Sequence, residues 1–224
     1  MGFTDESVER YLMDIVPARD AVLSDIESVA AREGIPIVGP VVGRFLEQLA
    51  RIIGARRIFE MGSAVGYSTI WWARAVGPEG QVYYSDSSPE NALRANEYLE
   101  RAGLRDRVQL LTGNSLDLLD QTDGEFDIVF NDVDKHYYPE AYGRAAHRVR
   151  VGGLLVTDNA LWDARVADEN VKDENTVGVR EFNRLLYSDT RYLTTILPLR
   201  DGVSVGWRVP PSNSPLSKTS TLLP

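Results

Sequence analysis

The sequence predicts one α/β domain: a mostly parallel, doubly wound sheet of seven strands with helices on both faces and an antiparallel hairpin at its end. Three observations predict it. From Arg57 to Thr157 short apolar runs alternate with segments of helical period, the pattern of a parallel sheet built from crossovers. The first apolar run passes into its helix through Gly62-Ser63-Ala64-Val65-Gly66, a glycine-bearing turn. The last two apolar runs, Tyr192–Leu197 and Val203–Val209, are β-rich and joined across Arg200-Asp201-Gly202, which is hairpin chemistry rather than a helical crossover.

The elements follow in order. The first fifty or so residues are helical in pattern. Pro17 opens a helix over 18–32 with Val22, Ile26 and Val29 on one face and Gly34 as its stop. Pro36–Pro40 is an extended breaker, and Pro40 opens a second helix whose apolar face carries Val42, Phe45, Leu46, Leu49, Ile52 and Ile53 before Gly54. Strands are expected at 57–61, 81–85, 108–111, 127–130 and 154–157. Helices are expected at 67–76, 89–102, after Ser115, and at 139–149 and 178–187. Residues 1–209 form the domain, and the Pro/Ser-rich segment 210–224 reads as a disordered tail.

Composition narrows the function. The chain has 224 residues, 43% of them hydrophobic, enough for one full core. Its formal net charge is −9, whereas a nucleic-acid binder needs a basic footprint, so a nucleic-acid partner is disfavoured. With no cysteine there is no disulfide frame and no thiolate metal site, which suits a cytoplasmic protein. The N-terminus carries no apolar signal region and no run is long enough to span a bilayer, so no membrane association is expected.

Two constellations carry chemistry. Gly62 and Gly66 allow a tight turn and close approach to a ligand, and the helix that follows offers backbone N–H groups to an anion such as a carboxylate. Their spacing is G-x-x-x-G rather than the G-x-G-x-x-G of dinucleotide sites, which argues against a dehydrogenase. A strand-to-helix turn with a packing glycine is the plainer alternative. Asp86, about 25 residues after the first strand tip, is placed to accept from both hydroxyls of a ribose, unless it is a turn or capping aspartate. Ser115 lies where an adenine edge would be met, with helix capping as the rival role. Taken together the set fits S-adenosylmethionine.

The second constellation is Asp132-Val133-Asp134-Lys135 after one apolar run and Asp158-Asn159 after the next. If those runs are neighbouring strands, about 4.8 Å apart, the side chains at their tips can share one ion. Asp132, Asp158 and Asn159 are hard oxygen donors, suited to Mg²⁺ first and to Mn²⁺ or Ca²⁺, and poorly to zinc or copper. A phenol with a pKa near 10 is a weak nucleophile at neutral pH, and a cation beside it lowers that value. Lys135, three positions after Asp132, can take the remaining proton if the cation depresses its own pKa. Taken singly, each acidic group also reads as a solvated loop or turn. Trp162 is a candidate substrate wall and His136 a candidate for the pocket mouth. Trp71, Trp72 and His147 read as packing or surface residues.

From about Gly34 to Val209 the ordered set Glu60-Met-Gly-x-x-x-Gly-Tyr-Ser68, Asp86-x-x-Pro89, Gly113-x-Ser115, Asp132-Val-Asp-Lys135 and Asp158-Asn-Ala-Leu-Trp162 resembles the cation-dependent O-methyltransferases of the catechol and caffeoyl-CoA type. The resemblance implies a Rossmann-like methyltransferase fold. It implies that Glu60, Gly62, Ser68, Asp86 and Ser115 contact S-adenosylmethionine, with Gly66 and Asp132 counted beside them. It also implies metal ligation by Asp132, Asp158 and Asn159, Lys135 as the base, and a homodimer. Asn131 stands where the family has an apolar residue, Tyr137 where Asn is frequent, and Ser88 where an acid is frequent. The inserted loops with which plant-type enzymes recognise a coenzyme-A ester have no clear equivalent, so a catechol-like or natural-product phenol is the expected acceptor. The alternatives are a tRNA hydroxyuridine O-methyltransferase and a non-catalytic S-adenosylmethionine-binding protein.

Overall fold

Between Arg57 and Thr157 the chain lays down five parallel strands, and it does so from the middle of the sheet outward. The computed structural model describes residues 5–211; most of the segment expected to be a tail, 212–224, lies outside the described residues. The strands are β1 (Arg57–Met61), β2 (Gln81–Asp86), β3 (Val108–Thr112), β4 (Phe126–Asn131), β5 (Val149–Thr157), β6 (Tyr192–Leu197) and β7 (Val203–Arg208). Their order across the sheet is β3-β2-β1-β4-β5-β7-β6. β7 pairs antiparallel with both β5 and β6, so the terminal hairpin inserts its second strand against the parallel set. The strand order reverses between β1 and β4, and in open α/β sheets ligands bind outside the strand ends at such a point.

The central strands β1, β4 and the end of β5 are buried on both faces because helices cover both. The helices are α1 (Glu6–Ile15), α2 (Ala21–Glu33), α3 (Gly39–Ile52), α4 (Tyr67–Val76), α5 (Pro89–Arg101), α6 (Ser115–Gln121), α7 (Tyr138–Ala145) and α8 (Glu174–Ser188). Ile58, Val82, Ile128, Phe130 and Val156 pack with Leu46, Trp72 and Leu99 on one side. Phe59, Met61, Val129 and Leu155 pack with Leu116, Tyr138 and Phe182 on the other. Trp71 and Trp72 are core residues, 5% and 0% exposed. Among the described residues no helix is long and apolar enough to cross a membrane.

Element boundaries depart from the sequence reading where a side chain captures a backbone N–H. Pro17 does not open α2. Asp20 caps it instead, accepting from the Val22 and Leu23 N–H groups, so the helix begins at Ala21. α8 begins at Glu174 rather than Gly178 because Asp173 accepts from the Thr176 N–H and hydroxyl. α7 ends at Ala145, not Val149, because Val149 is already paired with Phe126 at the start of a longer β5. α1 is a separate helix that periodicity alone did not set apart.

Candidate active site

The carboxyl ends of β1, β2, β4 and β5 open into one cavity of ≈ 350 Å³, whose walls include Gly62, Asp86, Ser115, Asp132, Lys135, Asp158 and Asn159. The two constellations read from the sequence therefore meet in one cleft. β4 and β5 are hydrogen-bonded neighbours with Asn131 opposite Thr157, so Asp132 and Asp158 follow adjacent strand tips.

The glycine turn is built around Asp86. Its Oδ2 accepts from the Ala64 N–H at 2.9 Å; its Oδ1 accepts from the Ser88 N–H at 2.9 Å and from Asn91 Nδ2 at 3.0 Å. The turn role and the place on the cleft wall are both realised in one side chain. Gly62 has φ +83°, and a Cβ there would lie 2.4 Å from the Asp132 carbonyl oxygen. Its missing side chain thus brings the turn against the Asp132 backbone while Gly62 itself stays on the cleft wall. Gly66 caps α4 without a side-chain bond. Ser68 lines a smaller recess of ≈ 20 Å³ that shares Gly62, Ala64 and Asp132 with the main cleft. Ser115 is not the α6 cap: Asn114 accepts from the Leu116 and Asp117 N–H groups, while the Ser115 hydroxyl donates to the Ser85 carbonyl at 3.2 Å.

Glu60 lies behind the cleft wall, 0% exposed. Its Oε2 accepts from the Thr69 hydroxyl and its Oε1 has no hydrogen-bond partner. Burial pushes its carboxyl up to about 7; the Ser68, Thr69 and Ser63 hydroxyls nearby oppose that shift.

At the other end of the cleft Lys135 opens a short 3-10 turn, Lys135–Tyr137. Its Nζ donates to Asp132 Oδ1 at 3.0 Å and to the Val133 carbonyl at 3.3 Å. It also sits 5.5 Å from the Tyr138 ring centre and 5.6 Å from that of Trp162. Trp162 therefore covers the lysine; it is not among the residues lining the cleft. α8 presses on this turn through Gly178, where a Cβ would lie 2.3 Å from the Lys135 carbonyl oxygen. His136 is not on the cleft wall either; its backbone N–H donates to Asn175 Oδ1.

Asp158 is 2% exposed and its Oδ1 has no hydrogen-bond partner. Burial, with the Asp132 charge second, pushes its carboxyl up to about 7, against the attraction of Arg200 and Lys135. Asp132 is also raised by burial, again opposed by Lys135 and Arg200. Asn159 holds φ +52° and donates its Nδ2 to Asp201 Oδ2 at 3.0 Å, which leaves its amide oxygen as the remaining donor atom. Among the described residues no group of three or more His, Asp or Glu side chains is placed to hold a metal ion. The expected set has only two carboxylates, its third donor being an amide. A buried carboxylate oxygen without a partner, a second carboxylate and an oriented amide oxygen are nevertheless the donor chemistry a hard cation needs. The cleft wall carries Asp86, Asp132, Asp134 and Asp158 against Lys135 and Arg200, a balance that favours cationic over anionic occupants.

Sequence reasoning missed Arg200 and Asp201. Both were read as turn residues, yet Arg200 lines the cleft and donates to the Ile37 carbonyl, and Asp201 orients Asn159. Only the pairing of β7 with β5 brings their loop here.

A family model described as O-methyltransferase matches residues 18–209. The chain belongs to this O-methyltransferase family. The enzyme is 38% identical over 200 residues to a catechol O-methyltransferase of Niastella koreensis, covering 87% of this chain and 90% of that one. It is 30% identical to a putative O-methyltransferase of Mycobacterium ulcerans, over 83% of this chain and 84% of that one. Among solved structures, the Bacillus cereus O-methyltransferase in complex with SAH superposes with a TM-score of 0.82 at 34% identity, covering 89% of this methyltransferase and 96% of that chain. TomG from Streptomyces achromogenes, involved in tomaymycin synthesis and solved with SAM, gives 0.83 at 30% identity, covering 91% and 96%.

Proposed function

We propose that this O-methyltransferase transfers the methyl group of S-adenosylmethionine to a hydroxyl of a catechol-like phenol, with a divalent cation held by Asp132, Asp158 and Asn159 and with Lys135 as the base. The observation that carries the reading is the unpartnered, buried Oδ1 of Asp158 in the same cleft as Asp132 and Lys135. Relatives solved with SAM and SAH, and a relative named for catechol, support the donor and the acceptor class.

Asp86 and Ser115 on the cleft wall suit the nucleoside of the donor, and the N-terminus of α4, which has no side-chain cap, suits its carboxylate beside the Ser68 recess. The acidic wall suits the positive sulfonium. A cation held by Asp132, Asp158 and Asn159 would supply one effect, lowering the pKa of the acceptor hydroxyl. Lys135 Nζ receives the hydroxyl proton when it is the neutral amine, and Asp132 Oδ1 and the two aromatic rings hold the resulting ammonium. The acceptor oxygen forms its bond to the methyl carbon as the carbon–sulfur bond breaks, and the electron pair stays on sulfur, leaving a neutral thioether. Catalysis on this scheme is alignment and electrostatics.

The test is methyl transfer to catechol from labelled donor. Wild type is expected to turn over with Mg²⁺ and to stop with a chelator. Lys135→Ala is expected to lose turnover while still binding S-adenosylhomocysteine in calorimetry. Equal turnover with and without chelator, or by Lys135→Ala, refutes the assigned roles.

A further inference from the structure

Beside the cleft lies a second cavity of ≈ 330 Å³, walled by Leu12 and Met13 of α1, Val41 of α3, and Pro198 and Leu199 of the β6–β7 loop. Ile37 and Arg200 line both cavities, and Arg200 donates to the Ile37 carbonyl at their boundary. The two spaces are therefore adjoining compartments, and they differ in chemistry. The cleft is acidic. The walls of the second space are aliphatic, with Glu9 and Arg200 as the only ionic lining residues among the described residues. No lysine lines it among the described residues, and its two ionic groups are of opposite sign, so its walls are dominated by aliphatic carbon.

We propose that this groove receives an uncharged apolar substituent of the methyl acceptor, so that the preferred substrates are catechol-like phenols bearing an aliphatic or aryl extension, and not those bearing a nucleotide, phosphate or carboxylate tail. The inference rests on the acceptor reading above and adds the character of the acceptor's remote half. Each methylene that reaches an apolar site contributes ~0.8 kcal/mol, roughly a fourfold gain in affinity.

The experiment measures kcat/KM of the Mg²⁺- and donor-saturated enzyme for catechol, for catechols carrying a methyl, propyl or hexyl group, and for dihydroxybenzoate. In parallel, calorimetry compares para-hexylphenol with phenol, a pair whose binding needs no methyl transfer. Rising kcat/KM with chain length, a poor dihydroxybenzoate, and tighter binding of hexylphenol are expected. Leu12→Asp should collapse the hexyl-to-unsubstituted ratio at least tenfold. Leu12→Trp, which fills the groove without charging it, should do the same if the aspartate variant fails to fold. A ratio near one in wild type overturns the inference and leaves catechol methylation standing. Groove-dependent binding of hexylphenol with no turnover of any catechol sinks the proposed activity instead. If Leu12→Asp changes the sedimenting mass and leaves the ratio untouched, a second copy of the chain occupies the groove and the inference is wrong.

Discussion

Replacing Gly62 by alanine tests whether the donor turn and the catalytic segment are one mechanical unit. Gly62 has φ +83°, which costs an L-residue about 1–2 kcal/mol. The new Cβ would lie 2.4 Å from the Asp132 oxygen and 2.7 Å from its carbonyl carbon. That carbonyl has little room to retreat, because the Asp132 N–H donates to the Met61 carbonyl at 2.9 Å, and the Gly62 and Ser63 N–H groups both donate to the Ser85 carbonyl at 3.0 Å. Overpacking of this kind costs about 1–3 kcal/mol. The smaller conformational entropy of the unfolded alanine chain returns about 0.4–1 kcal/mol. The net loss is about 1–4.5 kcal/mol, a fall in Tm of roughly 2–18 °C for a domain of this size. Because the carbonyl that must move belongs to Asp132, methyl transfer should fall at least about tenfold at temperatures where the variant is folded, since small misplacements of reacting groups are costly. Gly34→Ala is the control: φ is +69° but nothing lies within 4 Å, so only the backbone term applies. Scanning calorimetry and a turnover assay on both variants decide the matter. Equal melting of the two variants, or full activity in Gly62→Ala, refutes the coupling.

Three further outcomes are expected. Asn131, Thr157 and Ser204 stand in register on β4, β5 and β7, each with buried side-chain atoms that have no protein partner, a row suited to ordered water. Asn131→Leu should cost about 1–3 kcal/mol in urea unfolding by stranding its neighbours, and adding Thr157→Val and Ser204→Ala should recover most of it; a triple variant worse than the single one contradicts this. Glu60 is raised to about 7 from a value of 4.5, so the folded state holds the proton more tightly, and its contribution is complete below about pH 4.5 and lost as pH rises toward 7. Glu60→Gln should flatten that decline in the Tm–pH profile, and parallel profiles would show that Glu60 does not titrate there. Asp201 accepts from both Asn159 Nδ2 and the Asp163 N–H, which an asparagine cannot do with one oxygen and one NH₂ as now placed. Asp201→Asn should weaken Mn²⁺ binding, read by electron paramagnetic resonance, by roughly 10–100-fold. Unchanged affinity would remove Asp201 from the site.

The sequence by itself determined the sheet class and the order of its elements, because strand and helix periods and turn residues are local properties. It also brought forward Asp86, Asp132, Lys135, Asp158 and Asn159, since each follows an apolar run that had to be a strand. Tertiary structure decided what those side chains meet. Gly62 lines the cleft, and its backbone also packs on Asp132, a partner 70 positions away that the sequence did not reveal. Gly178 appears as the start of a helix and proves to be the point where α8 seats the turn carrying Lys135. Arg200 and Asp201 read as hairpin residues and reach the cleft only because β7 pairs with β5. Strand pairing and close approach depend on which distant segments share a surface, and no local period in the chain encodes that.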